Sequence, residues 1–192
     1  MVGWSWYIQV IVVGTAIARD LRSMERAQLI DQLEHHAAVF GVLFEWPINE
    51  MTTWKPAPGR WSAVEIVCHL YDEEREDFRA RLAHVLSTPG SPMPKIDPAA
   101  WVIERKYREQ DYPTRCSGFI SERRRSVEWL RGLTDEPWSN AYMHPTVGPV
   151  SCDLLLTNWV AHDLHHMRQW INLRYAHLAS NSSVPLDYAG TW

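Results

Sequence analysis

Two histidines near the C-terminal end of the sequence have the type and spacing of metal ligands. His162 and His166 are four residues apart, and on a helix such residues lie one above the other on the same face. Two imidazole rings placed in this way can converge on one metal ion, and imidazole suits Zn, Ni, Cu and Fe. The alternative is that both rings are hydrogen-bonded polar groups inside a core, because this short motif also occurs by chance.

The residues around this pair predict a long helix. Apolar residues and the two histidines follow the helical period from Leu155 to Leu173, and no proline occurs between Val150 and Leu178. The pair therefore shares a stripe with apolar residues, and we expect that stripe to face the interior.

Length, charge and cysteine content restrict the class of protein. The chain has 192 residues, 46% of them hydrophobic, and a net charge of -4. This balance fits one globular domain and argues against a nucleic-acid partner, which normally requires a basic surface. The basic run at residues 123–125 is interpreted as the solvated side of a helix. Three widely spaced cysteines indicate a reducing compartment, so we expect a cytoplasmic protein.

The N-terminal segment stands apart from the rest of the sequence. Residues 4–18 form an apolar run that is shorter than the about 20 residues of a membrane-spanning helix and lacks the positive start of a signal peptide. Met24 stands where a helical pattern begins. We expect residues 1–23 to be an extension outside the fold. The alternative is a weak membrane anchor.

Four long amphipathic helices and a shorter one are predicted. The second has the clearest start, because Ser62 and Glu65 form a capping box. The first helix is expected from Met24 to about Glu45, the second from Ser62 to about Leu86, the short one from Ala99 to Glu109, the third from near Pro113 with Asp111 as cap, and the fourth from near Ser151.

This order of elements predicts an all-α fold, a four-helix bundle with long crossover connections. No strand is predicted, because no run of residues alternates convincingly. The bundle is expected at residues 24–178, followed by a polar and poorly ordered C-terminal tail at residues 179–192.

A third histidine lies on the predicted second helix. His69 sits at the edge of an apolar group on the helical wheel, and Glu65, Glu73 and Glu76 are closer to its direction. Either His69 belongs to a solvated acidic face, or these carboxylates line a polar pocket.

Several short motifs in a fixed order together resemble the DinB-like (DinB/YfiT-like) superfamily. The resemblance covers roughly residues 24–178. Its motifs are Trp61-Ser62 before a capped helix, His69-Leu70, Phe119-x-x-x-Arg123, His144-Pro145 with Gly148, and His162-Asp163-Leu164-x-His166 with Gln169.

The resemblance implies a fold and a metal site. The family fold is a four-helix bundle with a long crossover, and family members are often homodimers. The family's metal triad takes one histidine from the second helix and two from the last, which correspond here to His69, His162 and His166. The implied cofactor is a divalent metal ion, Zn, Ni or Fe. His165 falls about 100° away on the helical wheel and is not expected to be a ligand.

A metal held by three neutral imidazoles keeps an open coordination position, as catalytic sites do. That position can hold water or a thiolate, and in either case the metal favours the deprotonated form. The resemblance implies a metal-dependent enzyme acting on a small molecule. It could be a thiol-dependent S-transferase using a low-molecular-weight thiol such as bacillithiol or mycothiol, or a related hydrolase. The alternative is a non-catalytic metal-binding or small-ligand-binding stress-response protein.

Other side chains are candidates for supporting roles. Carboxylates that could accept a hydrogen bond from a metal-bound histidine are Glu65, Asp72, Glu73 and Asp163, with Glu73 the best placed. His144 either handles a substrate from its loop or is an ordinary loop histidine, and Tyr71 and Tyr142 are candidate proton donors. We expect Trp54, Trp61 and Trp159 to belong to the core.

Two rival enzyme classes fit the sequence less well. In a zinc peptidase of the HExxH type, Asp163 would have to replace the general-base glutamate. An all-helical phosphohydrolase with an His162-Asp163 pair needs another aspartate far downstream, and only Asp187 follows.

Overall fold

The computed structural model describes residues 25–45, 49–134 and 136–192, so the extension expected at residues 1–23 lies outside it. In chain order its helices and strands are α1 (Arg26–Phe44), α2 (Ala63–Asp72), a π-helical segment (Glu73–Phe78), α3 (Arg79–Ser87), α4 (Pro98–Glu104), α5 (Tyr112–Gly132), β1 (Ala141–His144), β2 (Gly148–Ser151) and α6 (Cys152–Asn181). Short 3-10 turns occur at Asn49–Thr52, Tyr107–Glu109 and Asp187–Ala189.

Local capping determines where the long helices begin. The side chain of Ser62 caps the amide of Glu65, and Glu65 in turn accepts a bond of 2.8 Å from the Ser62 amide. Asp111 accepts from the amide of Thr114, and Ser151 accepts from the amide three residues further on. These bonds satisfy backbone N–H groups that have no partner within the helix. The helix starts predicted at Ser62, Asp111 and Ser151 are confirmed.

The π-helical segment joins α2 to α3 without a break, so residues 63–87 form one long helix. Contacts along its length give the directions of the bundle. Helix α1 runs parallel to α6, because Arg26 pairs with Asp153 and His36 pairs with Asp163 ten residues further along both helices.

The long α2–α3 helix runs parallel to α5. The ring of Tyr71 lies against Gly118, and Arg79 donates to Ser126 further along both helices. Two consecutive parallel helices cannot be joined by a short turn, and the connection at residues 88–111 crosses the bundle and carries α4. The predicted four-helix bundle with a long crossover is confirmed.

The core consists of two apolar clusters separated by a buried polar layer. One cluster includes Phe40, Phe44, Phe119 and Trp170, and the other includes Leu33, Phe78, Leu82 and Trp159. Between them lie the buried charges of Glu74, Arg123 and Asp163.

This layer corrects the interpretation of the basic run. Arg124 and Arg125 are exposed, as expected, but Arg123 is buried to 1% exposure and is held by two carboxylates. Its position on the inner stripe of α5 places its guanidinium inside the bundle, and a charge there requires paired carboxylates.

The expectation of no strands was wrong. Strands β1 and β2 form an antiparallel hairpin in which Ala141 pairs with Ser151 and His144 pairs with Gly148. Each strand has only four residues and neither alternates clearly. Just before the hairpin, Asn140 donates to the carbonyl oxygens of Val85 and Leu86, which ties it to the end of α3.

The last helix is longer than the bundle boundary drawn from the sequence. Helix α6 continues to Asn181, and a 3-10 turn follows in the tail. In the described part of the chain, no helix is long and apolar enough to cross a membrane.

Candidate metal centre

Three histidine rings from two antiparallel helices meet at one point. Nε2 of His162 lies 3.3 Å from Nε2 of His69 and 3.1 Å from Nε2 of His166. One ring nitrogen from each residue lies within 4.8 Å of the other two. His69 and His166 are buried, and His162 is partly exposed. The structure thus brings together the three residues that the sequence proposed as a triad.

The spacing of these nitrogens fits a metal ion. Zinc–nitrogen bonds of about 2.0–2.1 Å in a tetrahedral site place two ligand nitrogens about 3.3–3.4 Å apart. The two Nε2 distances measured at His162 lie at or slightly below that value. The same distances also allow N–H···N hydrogen bonds between neutral rings when no ion is bound.

The rings are held in the neutral form that metal ligands need. Burial lowers the pKa of His69 and His162 well below 6.5, and the nearby His166 lowers both further. Burial also lowers the pKa of His166 to about 4. At neutral pH each ring therefore carries one hydrogen and one free lone pair.

Gln169 determines which nitrogen of His166 is free. Nδ1 of His166 lies 2.7 Å from Oε1 of Gln169, and an amide oxygen can only accept. Nδ1 therefore donates, and the lone pair of Nε2 points at the other two rings. A metal-binding histidine usually has a partner of this kind on its outer nitrogen.

Glu73 occupies the corresponding position behind His69. Its Oε1 lies 3.9 Å from Nδ1 of His69, which has no hydrogen-bond partner among the described residues. Burial and the neighbouring Asp77 raise the pKa of Glu73 to about 9. Glu73 begins the π-helical segment, a rare conformation that often occurs at functional sites. His69 is therefore buried, not part of a solvated acidic face, but only Glu73 of the three carboxylates lies beside it. Glu65 and Glu76 bind Lys55 and Arg105 instead.

Aromatic rings form the walls of the cluster. The ring centroid of Trp61 lies 4.8 Å from that of His69, and its plane is within 7° of the His166 ring at 6.4 Å. Phe78 lies 5.0 Å from His162. Trp61 was expected only in the core, but it lies at the edge of the core and contacts two triad rings.

The other three carboxylates proposed as supports have different partners. Glu65 binds Lys55 and the cap at Ser62. Asp72 accepts from Tyr107. Asp163 is fully buried against Arg123 and therefore cannot act as the general base of a peptidase.

The remaining candidates make contacts elsewhere. Nδ1 of His144 accepts from the amides of Thr146 and Val147 in the hairpin turn, which fits its interpretation as a loop histidine. Tyr71 packs on Arg75. Other residues outside the cluster are Tyr142 in β1, Trp54 against His177, Trp159 in the core, and the exposed His165 and Asp187.

A comparison with protein families establishes the relationship of the chain. Residues 32–170 match the family model of the DinB superfamily. The chain belongs to the DinB superfamily. The matched DinB segment contains His69, His162 and His166, together with the buried pair of Arg123 and Asp163.

A solved structure shows the same DinB fold. YfiT from Bacillus subtilis matches with a TM-score of 0.71 at 22% sequence identity, over 85% of this chain and 94% of YfiT. YfiT is described as a probable metal-dependent hydrolase with an unusual four-helix bundle topology. No curated protein matches the sequence significantly.

Proposed function

We propose that His69, His162 and His166 bind one divalent metal ion, Zn, Ni or Fe, and that the protein is a metal-dependent enzyme acting on a small molecule. The observation that carries this proposal is the convergence of three neutral imidazole nitrogens at ligand spacing. Donation by three uncharged nitrogens leaves the ion its full charge and an open position, which is the arrangement of a catalytic site.

A bound ion would act as a Lewis acid and favour the deprotonated form of a water or thiol. The chain itself supplies orientation and shielding. Gln169 fixes the ring of His166, and Glu73 is placed to do the same for His69. Trp61 and Phe78 form apolar walls that exclude water from two sides of the triad.

We further propose that the reaction is either hydrolysis or the transfer of a small electrophilic substrate to a low-molecular-weight thiol such as bacillithiol or mycothiol. The description of YfiT as a probable metal-dependent hydrolase supports the first choice. Superfamily resemblance supports the second. A cytoplasmic location accords with the three free cysteines, and a homodimer is proposed from the resemblance alone.

An assay with two kinds of substrate distinguishes these reactions. Full-length protein loaded with Zn or Ni is incubated with chromogenic esters, and separately with an alkyl halide electrophile with and without a low-molecular-weight thiol. Turnover that needs no thiol and is lost in His162→Ala supports a hydrolase, and turnover that requires the thiol supports an S-transferase. Stable metal binding without turnover of either kind of substrate favours the alternative, a non-catalytic metal-binding stress-response protein.

A further inference from the structure

A polar cavity lies on the face of α2 that points away from the triad. Its volume is about 220 Å³, and its lining includes Asp72, Arg75, Arg105, Tyr107, Gln110 and Arg115. Cys68 and Asp72 face this cavity, whereas His69 and Glu73, each one residue later, face the triad. Successive helical residues point about 100° apart, so the two sites are separated by the body of α2.

Two of the three arginines in the wall are balanced by carboxylates. Arg75 donates to Asp72 and Glu76, each at 2.9 Å. Arg105 donates to both oxygens of Glu76, at 2.8 and 2.7 Å, and also pairs with Asp72. Two cations and two anions therefore cancel, and this network also fastens the crossover to α2.

The third arginine leaves the cavity with a positive charge. Arg115 comes from α5, and within the described ranges no carboxylate lies at ion-pair distance from it. Its guanidinium donates a bond of 2.6 Å to the side-chain oxygen of Gln110, and the amide of Gln110 donates to the backbone oxygen of Arg105. Gln110 thus holds a cation in place without neutralising it.

We propose that this cavity binds a phosphate group, either inorganic phosphate or the terminal phosphate of a phosphomonoester. Arg75, Arg105 and Arg115 line the cavity from three segments of the chain. Carboxylates already occupy most N–H groups of the first two, so Arg115 supplies the main guanidinium fork for the oxygens of a tetrahedral oxyanion. A phosphate group offers at least three acceptor oxygens against the two of a carboxylate, so it can accept from Arg115 and from a second N–H group of the lining at the same time.

The cavity binds this anion and does not react with it. Cys68 is the one thiol among the lining residues, and it donates to the backbone oxygen of Tyr107 at 3.8 Å. The proposal is independent of metal binding, because none of the lining residues belongs to the triad.

The test is a calorimetric titration of the full-length protein, in buffer free of phosphate, with inorganic phosphate, methyl phosphate and acetate. It is repeated with Arg115→Gln and with Arg124→Gln, which removes an exposed arginine from the same helix. A His162→Ala variant is included because a metal at the triad could itself bind phosphate.

We expect saturable binding of inorganic phosphate or methyl phosphate, at least about tenfold weaker in Arg115→Gln and unchanged in Arg124→Gln and His162→Ala. Binding of methyl phosphate as tight as that of inorganic phosphate assigns the site to a phosphomonoester, and a preference for inorganic phosphate assigns it to the free ion. Three results overturn the proposal: no saturable binding, loss of binding in His162→Ala, or acetate binding as tightly as phosphate. Circular dichroism verifies that each variant is folded.

Discussion

The guanidinium of Arg123 donates two hydrogen bonds to the carboxylate of Asp163, at 2.6 and 2.8 Å, inside a bundle where both side chains are fully buried. Arg123 also donates to Glu74 and to the backbone oxygen of Leu33, and His36 lies 2.9 Å from Asp163. One buried cation therefore links all four long helices. Burial alone would raise the pKa of Asp163, but Arg123 outweighs it and lowers that pKa, so the carboxylate is charged.

Because Asp163 follows His162 directly, this pair also fixes the helix that presents two triad histidines. Replacing Asp163 by Asn removes one of the two carboxylates that hold the buried guanidinium and leaves Glu74 as its remaining counter-ion. Because a charged, buried hydrogen-bond pair is lost, we expect the free energy of unfolding to fall by about 2–3 kcal/mol, measured by urea denaturation.

Asp153→Asn is the matched control, because Asp153 lies on the same helix and pairs with Arg26 at the surface. An exposed pair contributes at most about 1 kcal/mol. Equal losses in the two variants would show that the buried pair has no special role.

The metal-free protein should lose stability as the solution becomes acidic. In the folded protein burial lowers the pKa of His166 to about 4 and holds those of His69 and His162 well below 6.5. Between pH 6.5 and 4 the unfolded chain binds protons that the folded chain excludes, so stability falls as pH falls. Each histidine contributes a slope of up to about 1.4 kcal/mol per pH unit.

Urea denaturation of chelator-treated protein at pH 7.5 and pH 5 measures this slope. His166→Asn should reduce it, whereas the exposed His165→Ala should leave it unchanged. A free energy of unfolding that is equal or higher at pH 5 than at pH 7.5 would contradict the assignment of buried neutral rings.

Glu73 is predicted to strengthen metal binding without contacting the ion. Its carboxyl group lies behind the unpartnered Nδ1 of His69 and can accept that N–H after a small movement. Loss of such a partner typically weakens metal affinity by about 10–100-fold. Glu73→Leu, which removes the acceptor, should show this loss in competition with a chromophoric chelator, and Glu128→Leu, an exposed change on α5, should not. If the parent and the Glu73 variant bind the metal with affinities within twofold of each other, Glu73 does not support the metal site.

Features encoded by neighbouring residues could be predicted from the sequence. The capping groups at Ser62, Asp111 and Ser151 each act within three residues, and the spacing of His162 and His166 needs only a regular helix. These local signals gave the helix starts and the two-histidine part of the site. The third histidine was assigned by family resemblance, because the helical wheel left its environment open.

Features that depend on distant partners could not be predicted in this way. The burial of Arg123 requires carboxylates from two other helices, so its place in a basic run suggested solvent instead. The hairpin at residues 141–151 is anchored by Asn140 on the end of α3. Likewise, the stacking of Trp61 on His166 arises only when α2 packs against α6.

The metal content of the full-length protein, purified without a chelator, tests the central claim most directly. His69→Ala, His162→Ala and His166→Ala are purified beside it, with His165→Ala as the matched control. We predict about one equivalent of Zn, Ni or Fe in the parent and in His165→Ala, and little or none in the three triad variants. A parent that binds no metal even when supplied with Zn and Ni, or triad variants that keep a full equivalent, would contradict the account.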